Sequence, residues 1–329
     1  MNALMASTRV ASFERPRRVT SVARRSFIKR FCAPGPGSGI VCLNFWELVA
    51  AAGCPYRCSY CFLQATPSYV FRHYPLSGAI FRNWRQMLTE VEEWLEAPTP
   101  RMLVVGELQD ALAFEEHYRA ISGSSLTQML LPLFAQQTRH RLLFLTKSSH
   151  VEYALGIPPT PQVVFAWSLN AEEAARRWEV GAPPPHRRLA AARYMASAGW
   201  PIRFRVDPMI PFPGWEDGYA RLYDQINEVN PEMVTLGCLR ASNALQAHAR
   251  RNGRDASVFD YLAGKDPGGY KKRLPTGTHV GILRFACERL DRDRFTVALC
   301  KEHKSVWKAL GLRFGGCNCL LARSAGHQH

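Results

Sequence analysis

The sequence predicts an α/β fold, and three observations carry that expectation. From about residue 40 to residue 250, short apolar runs alternate with longer amphipathic ones, the order of repeated β–α units. The short runs are apolar throughout, as parallel strands covered on both faces require. Six such units fit the chain, too few for a closed eight-stranded barrel, so the expected architecture is a partial (β/α)6 TIM-like barrel.

The expected strands are Ile40–Leu48, Met102–Val105, Arg141–Leu145, Gln162–Leu169, Ile202–Val206 and Met233–Gly237. Between them, Ile80–Leu95 sets Ile80, Trp84, Met87, Leu88, Val91 and Leu95 three and four residues apart, one apolar stripe of a helix. Leu126–Gln137 is a second helix. Arg187–Ala198 opens after three prolines and closes at Gly199, and Trp215–Val229 precedes the last strand. Beyond about Arg250 the rhythm breaks. Gly264 to Gly277 is Gly/Pro-rich and basic, predicted as a hairpin or surface insertion. A helix at Thr278–Leu290, a strand at Phe295–Leu299 and a short helix at Lys301–Leu310 then lead to Cys317 and Cys319. The expected division is a basic N-terminal arm (1–39), the barrel (40–250) and a small C-terminal α+β extension (251–329).

Charge is distributed along the same lines. The 329 residues carry a net +15, of which residues 1–31 hold +7 and residues 239–329 hold +10, leaving the middle at −2. A near-neutral body with basic ends suits a polyanion such as DNA, although basic tails are also commonly just solvated. No apolar run approaches the roughly 20 residues that cross a bilayer. Arg24 to Lys29 ("RRSFIK") resembles a twin-arginine export signal, but the Pro/Gly-rich stretch that follows is no signal-peptide core. A cytoplasmic protein is the expectation, and ten cysteines, clustered rather than spread, suit metal binding in a reducing compartment.

The densest cluster is "GCPYRCSYCFLQ", Gly53 to Gln64, with Cys54, Cys58 and Cys61 on one loop after the first strand. Zinc closes a tetrahedron with four protein ligands, for which His73 is available. A [4Fe–4S] cluster needs four sites, so three cysteines leave one iron open to another ligand. The aromatic residues Tyr56, Tyr60 and Phe62 suit a cover over the larger centre.

The Cys-x3-Cys-x2-Cys spacing, with an aromatic residue before the last cysteine, resembles the radical S-adenosylmethionine superfamily. "LLFLTKSSH", "FAWSLN", "RRLAAARYMASAGW" and "GWEDGYARLYDQI" extend the likeness over residues 40–240 to its spore photoproduct lyase branch. The resemblance implies a [4Fe–4S] cluster on Cys54, Cys58 and Cys61, with S-adenosylmethionine on the open iron. Reductive cleavage would give a 5′-deoxyadenosyl radical that takes hydrogen from a substrate. It further implies cofactor contacts from Tyr60, Glu107 (in Gly106-Glu107), Lys147, Ser168 and Asn170, and a reducing partner of the flavodoxin or ferredoxin type. Asn170 also suits the N-cap of a helix over "AEEAARRW", and Asp207 suits a ribose or substrate contact.

Two departures accompany the likeness. The lyase returns a hydrogen atom from a cysteine after the second strand, where this chain has "VVGELQDALAFEE". It also has a tyrosine after the last cluster cysteine, where this chain has Phe62. Cys300, Cys317 and Cys319 form a further set, expected as a second iron–sulfur centre, as a zinc site with His303, or as a thiol pair folded over the barrel mouth to replace the hydrogen donor. The substrate is expected to be a damaged nucleic-acid base, with a small molecule, peptide or protein cofactor as the alternative. A zinc-stabilised nucleic-acid-binding module without catalysis is the reading from another class.

Overall fold

The computed structural model describes residues 20–66, 77–265 and 271–321. Eight strands form one sheet: β1 (Ile28–Phe31), β2 (Phe45–Leu48), β3 (Met102–Val105), β4 (Arg141–Thr146), β5 (Val163–Ser168), β6 (Ile202–Met209), β7 (Met233–Cys238) and β8 (Thr296–Leu299). Each pairs with its neighbours in sequence, β2 to β8 all parallel and β1 antiparallel on the edge. Nine α-helices are described: α1 (Trp84–Leu95), α2 (Glu115–Ser122), α3 (Leu126–Ala135), α4 (Glu172–Trp178), α5 (Pro185–Ser197), α6 (Trp215–Val229), α7 (Asn243–Arg251), α8 (Thr276–Arg289) and α9 (Lys304–Ala309).

The continuous apolar runs divide by residue parity. Leu103, Val105, Leu142, Phe144, Val163 and Phe165 pack outward against the helices, with Met87, Val91, Leu130, Phe134 and Leu189. Val104, Leu143, Leu145, Val164 and Ala166 face inward, where Phe45, Met102 and Cys319 join them. The open barrel is therefore filled from within by the last described stretch of chain. Arg203 donates to Asn318 O (3.2 Å) and Leu320 O (2.9 Å), and the Asn318 amide donates to Phe204 O (3.1 Å), fixing that tail against β6.

All six expected parallel strands are present, and the strand expected near 295–299 joins them as a seventh beside β7. The first is shorter than expected. Ile40–Val41 turns away to pair with Glu302–His303, and Asn44, whose side chain accepts from Ala33 N at 2.7 Å, separates it from β2. The first helix starts at Trp84, because Ala79–Phe81 is a strand paired with Thr20–Val22 and Ala51–Ala52. Helix α4 is the one expected over "AEEAARRW", and helices α2 and α7 were not expected. The Gly264–Lys265 and Lys272–Arg273 pairing is the hairpin expected there, with Arg240–Ala241 as a third strand. No described helix is long and apolar enough to cross a membrane.

Candidate active site

The cysteine loop leaves β2 through Ala51–Ala52 and is tied down at three points. Arg57–Cys58 pairs antiparallel with Glu179–Val180. The buried Gln64 amide donates to Ser59 O (2.9 Å) and Cys61 O (3.2 Å), and Arg254 Nη1 donates to Cys58 O at 2.7 Å. Cys54, Cys58 and Cys61 all line one cavity of about 420 Å3, inside the ~300–1,000 Å3 range of small-ligand sites. Burial pushes all three thiols up, Cys58 to about 12, and Cys54 is raised further by Asp110 and the other two sulfurs. Three thiols around one cavity are a donor set that fits an iron–sulfur cluster. His73 lies outside the described residues.

The parallel strand ends supply the rest of the wall, at the carboxyl edge where barrel sites form. After β3, Gly106 has φ +121°, and a Cβ there would sit 2.1 Å from Leu145 O, so only glycine lets the chain turn Glu107 into the cavity. Burial pushes the Glu107 carboxyl up, but Arg205, which donates to it at 2.6 Å, and Lys301 hold it below its usual range. Asp110 is fixed by Thr146 Oγ1 (2.6 Å) and Lys147 N (2.7 Å), and burial raises its pKa. Lys147, just past β4, donates to Ser168 Oγ at 2.7 Å and lies 4.0 Å from Glu179, above the Tyr60 ring. Tyr60 donates to Glu179, which is held in turn by Arg188 at 2.5 Å.

Of the expected cofactor contacts, Tyr60, Glu107, Lys147 and Ser168 line the cavity. Asn170 sits behind that wall, fully buried. It donates to Pro208 O (3.1 Å) and accepts from Tyr219 (2.7 Å), while Ala171, not Asn170, is the N-cap of α4. Asp207 faces the cavity and receives two bonds from Arg240, at 3.2 and 3.0 Å.

The C-terminal cysteines meet different partners. Cys300 lines the cavity with its sulfur 3.6 Å from Arg240, and burial beside Asp207 pushes its thiol up to about 12. Cys317 and Cys319 lie in the tail inside the barrel rather than over its mouth. Arg205 donates to Cys319 Sγ at 3.0 Å, and Cys319 donates to Glu107 at 3.5 Å. Cys317, hydrogen-bonded to Cys319, is lowered to about 7. Cys238, His279 and Glu302 also bring ligand-type atoms within 4.8 Å of one another. There the Arg273 guanidinium bonds Glu302 at 2.8 Å, so the group reads as a buried ion-pair cluster joining β7, α8 and the hairpin.

Glu47 backs the site from β2. It is 3% exposed and accepts from Leu108 N at 2.8 Å. Burial, then Glu107, raises its carboxyl to about 8, with Lys29 and Lys301 opposing. The folded protein holds this proton where the unfolded chain has released it. Its stabilisation is complete below the ordinary pKa near 4.5 and is lost as pH rises through about 8. Chemical denaturation of wild type and Glu47→Gln at pH 5, 6, 7 and 8 should show wild type losing on the order of 1 kcal/mol per unit relative to the variant across that window.

Residues 45–238 match the family model described as "Spore photoproduct lyase". The chain belongs to the spore photoproduct lyase family. It is 27% identical over 192 residues to spore photoproduct lyase of Bacillus subtilis (strain 168), covering 56% of this chain and 51% of that protein. Against the lyase of Geobacillus sp. (strain Y412MC61) the identity is 25% over 187 residues, covering 55% and 50%. The chain thus spans about half the length of these curated relatives. Among solved structures, spore photoproduct lyase complexed with dinucleoside spore photoproduct superimposes with a TM-score of 0.66 at 19% identity, over 86% of this chain and 82% of that one. A double mutant of that lyase with bound AdoMet and the dinucleoside gives 0.66 at 19%, over 85% and 81%. At such identity the likeness speaks for the fold, the partial barrel expected from sequence.

Proposed function

We propose that this family member is a radical S-adenosylmethionine enzyme acting on a damaged base of a nucleic acid. The observation that carries the reading is the convergence of Cys54, Cys58 and Cys61 with Glu107, Lys147 and Ser168 on one cavity at the carboxyl edge of a partial barrel. A bound [4Fe–4S] cluster would supply the electron that cleaves S-adenosylmethionine to a 5′-deoxyadenosyl radical. The chain's own residues hold and orient: the three thiols ligate the cluster, and Lys147, fixed by Ser168 and Glu179, presents an ammonium to the cofactor's carboxylate. Asp110 and Tyr60 close the wall beside it. Phe62, 48% exposed at the cavity edge, offers a flat apolar face for a base lifted from its stack.

The names of the matched relatives and the dinucleoside bound in the matched structure support the substrate class. The basic ends supply phosphate contacts, although residues 1–19, 266–270 and 322–329 lie outside the described residues. A low-potential carrier of the flavodoxin or ferredoxin type and a cytoplasmic setting complete the reading. Cys300, Cys317 and Cys319 are thiols rather than ligands of a second cluster in this reading, because Arg240 holds Cys300, Arg205 and Glu107 hold Cys319, and Cys319 holds Cys317.

The test is anaerobic reconstitution with iron and sulfide, followed by reduction with S-adenosylmethionine and the dinucleoside spore photoproduct. Release of 5′-deoxyadenosine with loss of the lesion supports the reading, and a reconstituted protein that releases none overturns it. Lys147→Met should weaken S-adenosylmethionine binding by about 10- to 100-fold through loss of the charge-assisted contact. Equilibrium dialysis on the reconstituted protein checks it, and an unchanged affinity would remove Lys147 from the cofactor site.

A further inference from the structure

A carbon radical made in this cavity must be closed by a hydrogen atom. Thiols serve because an S–H bond is weaker than an aliphatic C–H bond. Five cysteines line the cavity: Cys54, Cys58, Cys61, Cys238 and Cys300. The first three are the cluster ligands of the proposed reading. Cys238 is fully buried with its S–H on His279 O at 3.7 Å, inside the ion-paired cluster with Glu302. Cys319, behind Glu107 and Arg205, is not among the lining residues.

Cys300 is the cavity thiol that remains, and its surroundings fix it there. It follows β8 directly, and its N–H donates to Leu236 O at 2.7 Å, so it stays at the carboxyl edge of the sheet. Arg240, locked on Asp207 by two bonds, reaches its sulfur at 3.6 Å. A Cβ at residue 237 would fall 2.5 Å from Asp207 Cγ, so the β7 backbone at Gly237 makes room for the carboxylate that sets this corner.

We propose that Cys300 gives its thiol hydrogen atom to the substrate radical, with Asp207 and Arg240 as positioning residues; this rests on the function proposed above. The S–H bond of Cys300 breaks homolytically and a C–H bond forms, so the substrate carbon is reduced by one hydrogen atom and the sulfur is oxidised to a thiyl radical. One electron from the low-potential carrier and one proton from water then restore the thiol.

The full chain, reconstituted and supplied with S-adenosylmethionine and the dinucleoside spore photoproduct in D2O, tests this. A thiol exchanges its hydrogen with solvent, so wild type should place one deuterium in the repaired dinucleoside. In Cys300→Ala, repaired product per 5′-deoxyadenosine should fall at least about tenfold, with adducts of the unquenched radical in its place. Cys32→Ala, an exposed cysteine outside the cavity, should match wild type. Without any cluster present, the dinucleoside should slow alkylation of Cys300 and leave Cys32 unaffected. Equal coupling and deuterium content in wild type and Cys300→Ala, or the loss appearing in Cys319→Ala instead, would overturn the assignment while leaving the function proposed above intact. Failure of wild type to release 5′-deoxyadenosine would overturn that function, and the assignment with it.

Discussion

Replacing Cys54, Cys58 or Cys61 with alanine is expected to cut the iron retained after anaerobic reconstitution from about four per chain to below about one. On the proposed reading each sulfur is one of three protein ligands and the cofactor takes the fourth position, so a single substitution leaves two thiolates to hold the cluster. Cys58 should be the most sensitive. Its carbonyl is the acceptor for Arg254 and its strand pairing with Glu179 fixes the loop, so the backbone stays in place while the ligand disappears. Iron and sulfide assays with the visible absorbance of the cluster check the outcome, and Cys32→Ala serves as the control. Wild-type iron in any of the three variants would remove that cysteine from the ligand set. Zinc in place of iron in the wild type would return the loop to a structural role.

The second large effect lies one layer back. Arg188 is fully buried and donates to Glu179 (2.5 Å), Ser168 O (2.9 Å) and Pro183 O (2.6 Å). Glu179 also holds Tyr60 and faces Lys147, so one buried charge pair supports two walls of the cavity. Arg188→Ala should cost about 3–5 kcal/mol, since it strands a buried carboxylate. Arg188→Met with Glu179→Met should recover most of that stability by removing both charges, yet leave S-adenosylmethionine binding impaired because Tyr60 and Lys147 lose their common anchor. Urea unfolding and dialysis separate the two effects. A loss below about 1 kcal/mol in Arg188→Ala would mean that water reaches Glu179.

The barrel was legible in the sequence because its strands are covered on both faces and its helices carry long apolar stripes, as Trp215–Val229 does. Helices α2 and α7 were missed for the opposite reason: each is nine residues or fewer, too short for periodicity to rise above its polar composition. Lys147 and Ser168 were found because each stands at the end of an apolar run. Asp110, Arg205 and Arg240 were not singled out, since their roles arise from partners far away in sequence. Arg188 did leave a signal: with Ala191, Ala192 and Met195 it occupies the buried stripe of α5, where an unpaired arginine would not be tolerated. Asn170 was legible as a polar residue after a strand, but sequence does not say that Tyr219 and Pro208 would claim its amide. One of the three readings of the tail cysteines put them over the mouth as a thiol pair. Inner-face residues from β3, β4 and β5 receive Cys319 within the barrel instead.

The latch on the cysteine loop has a consequence for the order in which the molecule assembles. Arg254 stands 196 residues beyond the carbonyl it grips, whereas the barrel strands pair with their neighbours in sequence. Contacts between adjacent units form at small entropic cost, and those that close a long stretch of chain come later. The loop that carries Cys54, Cys58 and Cys61 is therefore expected to set after the barrel around it. Its amides should exchange at a lower opening free energy than those of β4 and β5, leaving iron and sulfide an interval in which to enter before Arg254 fastens the loop.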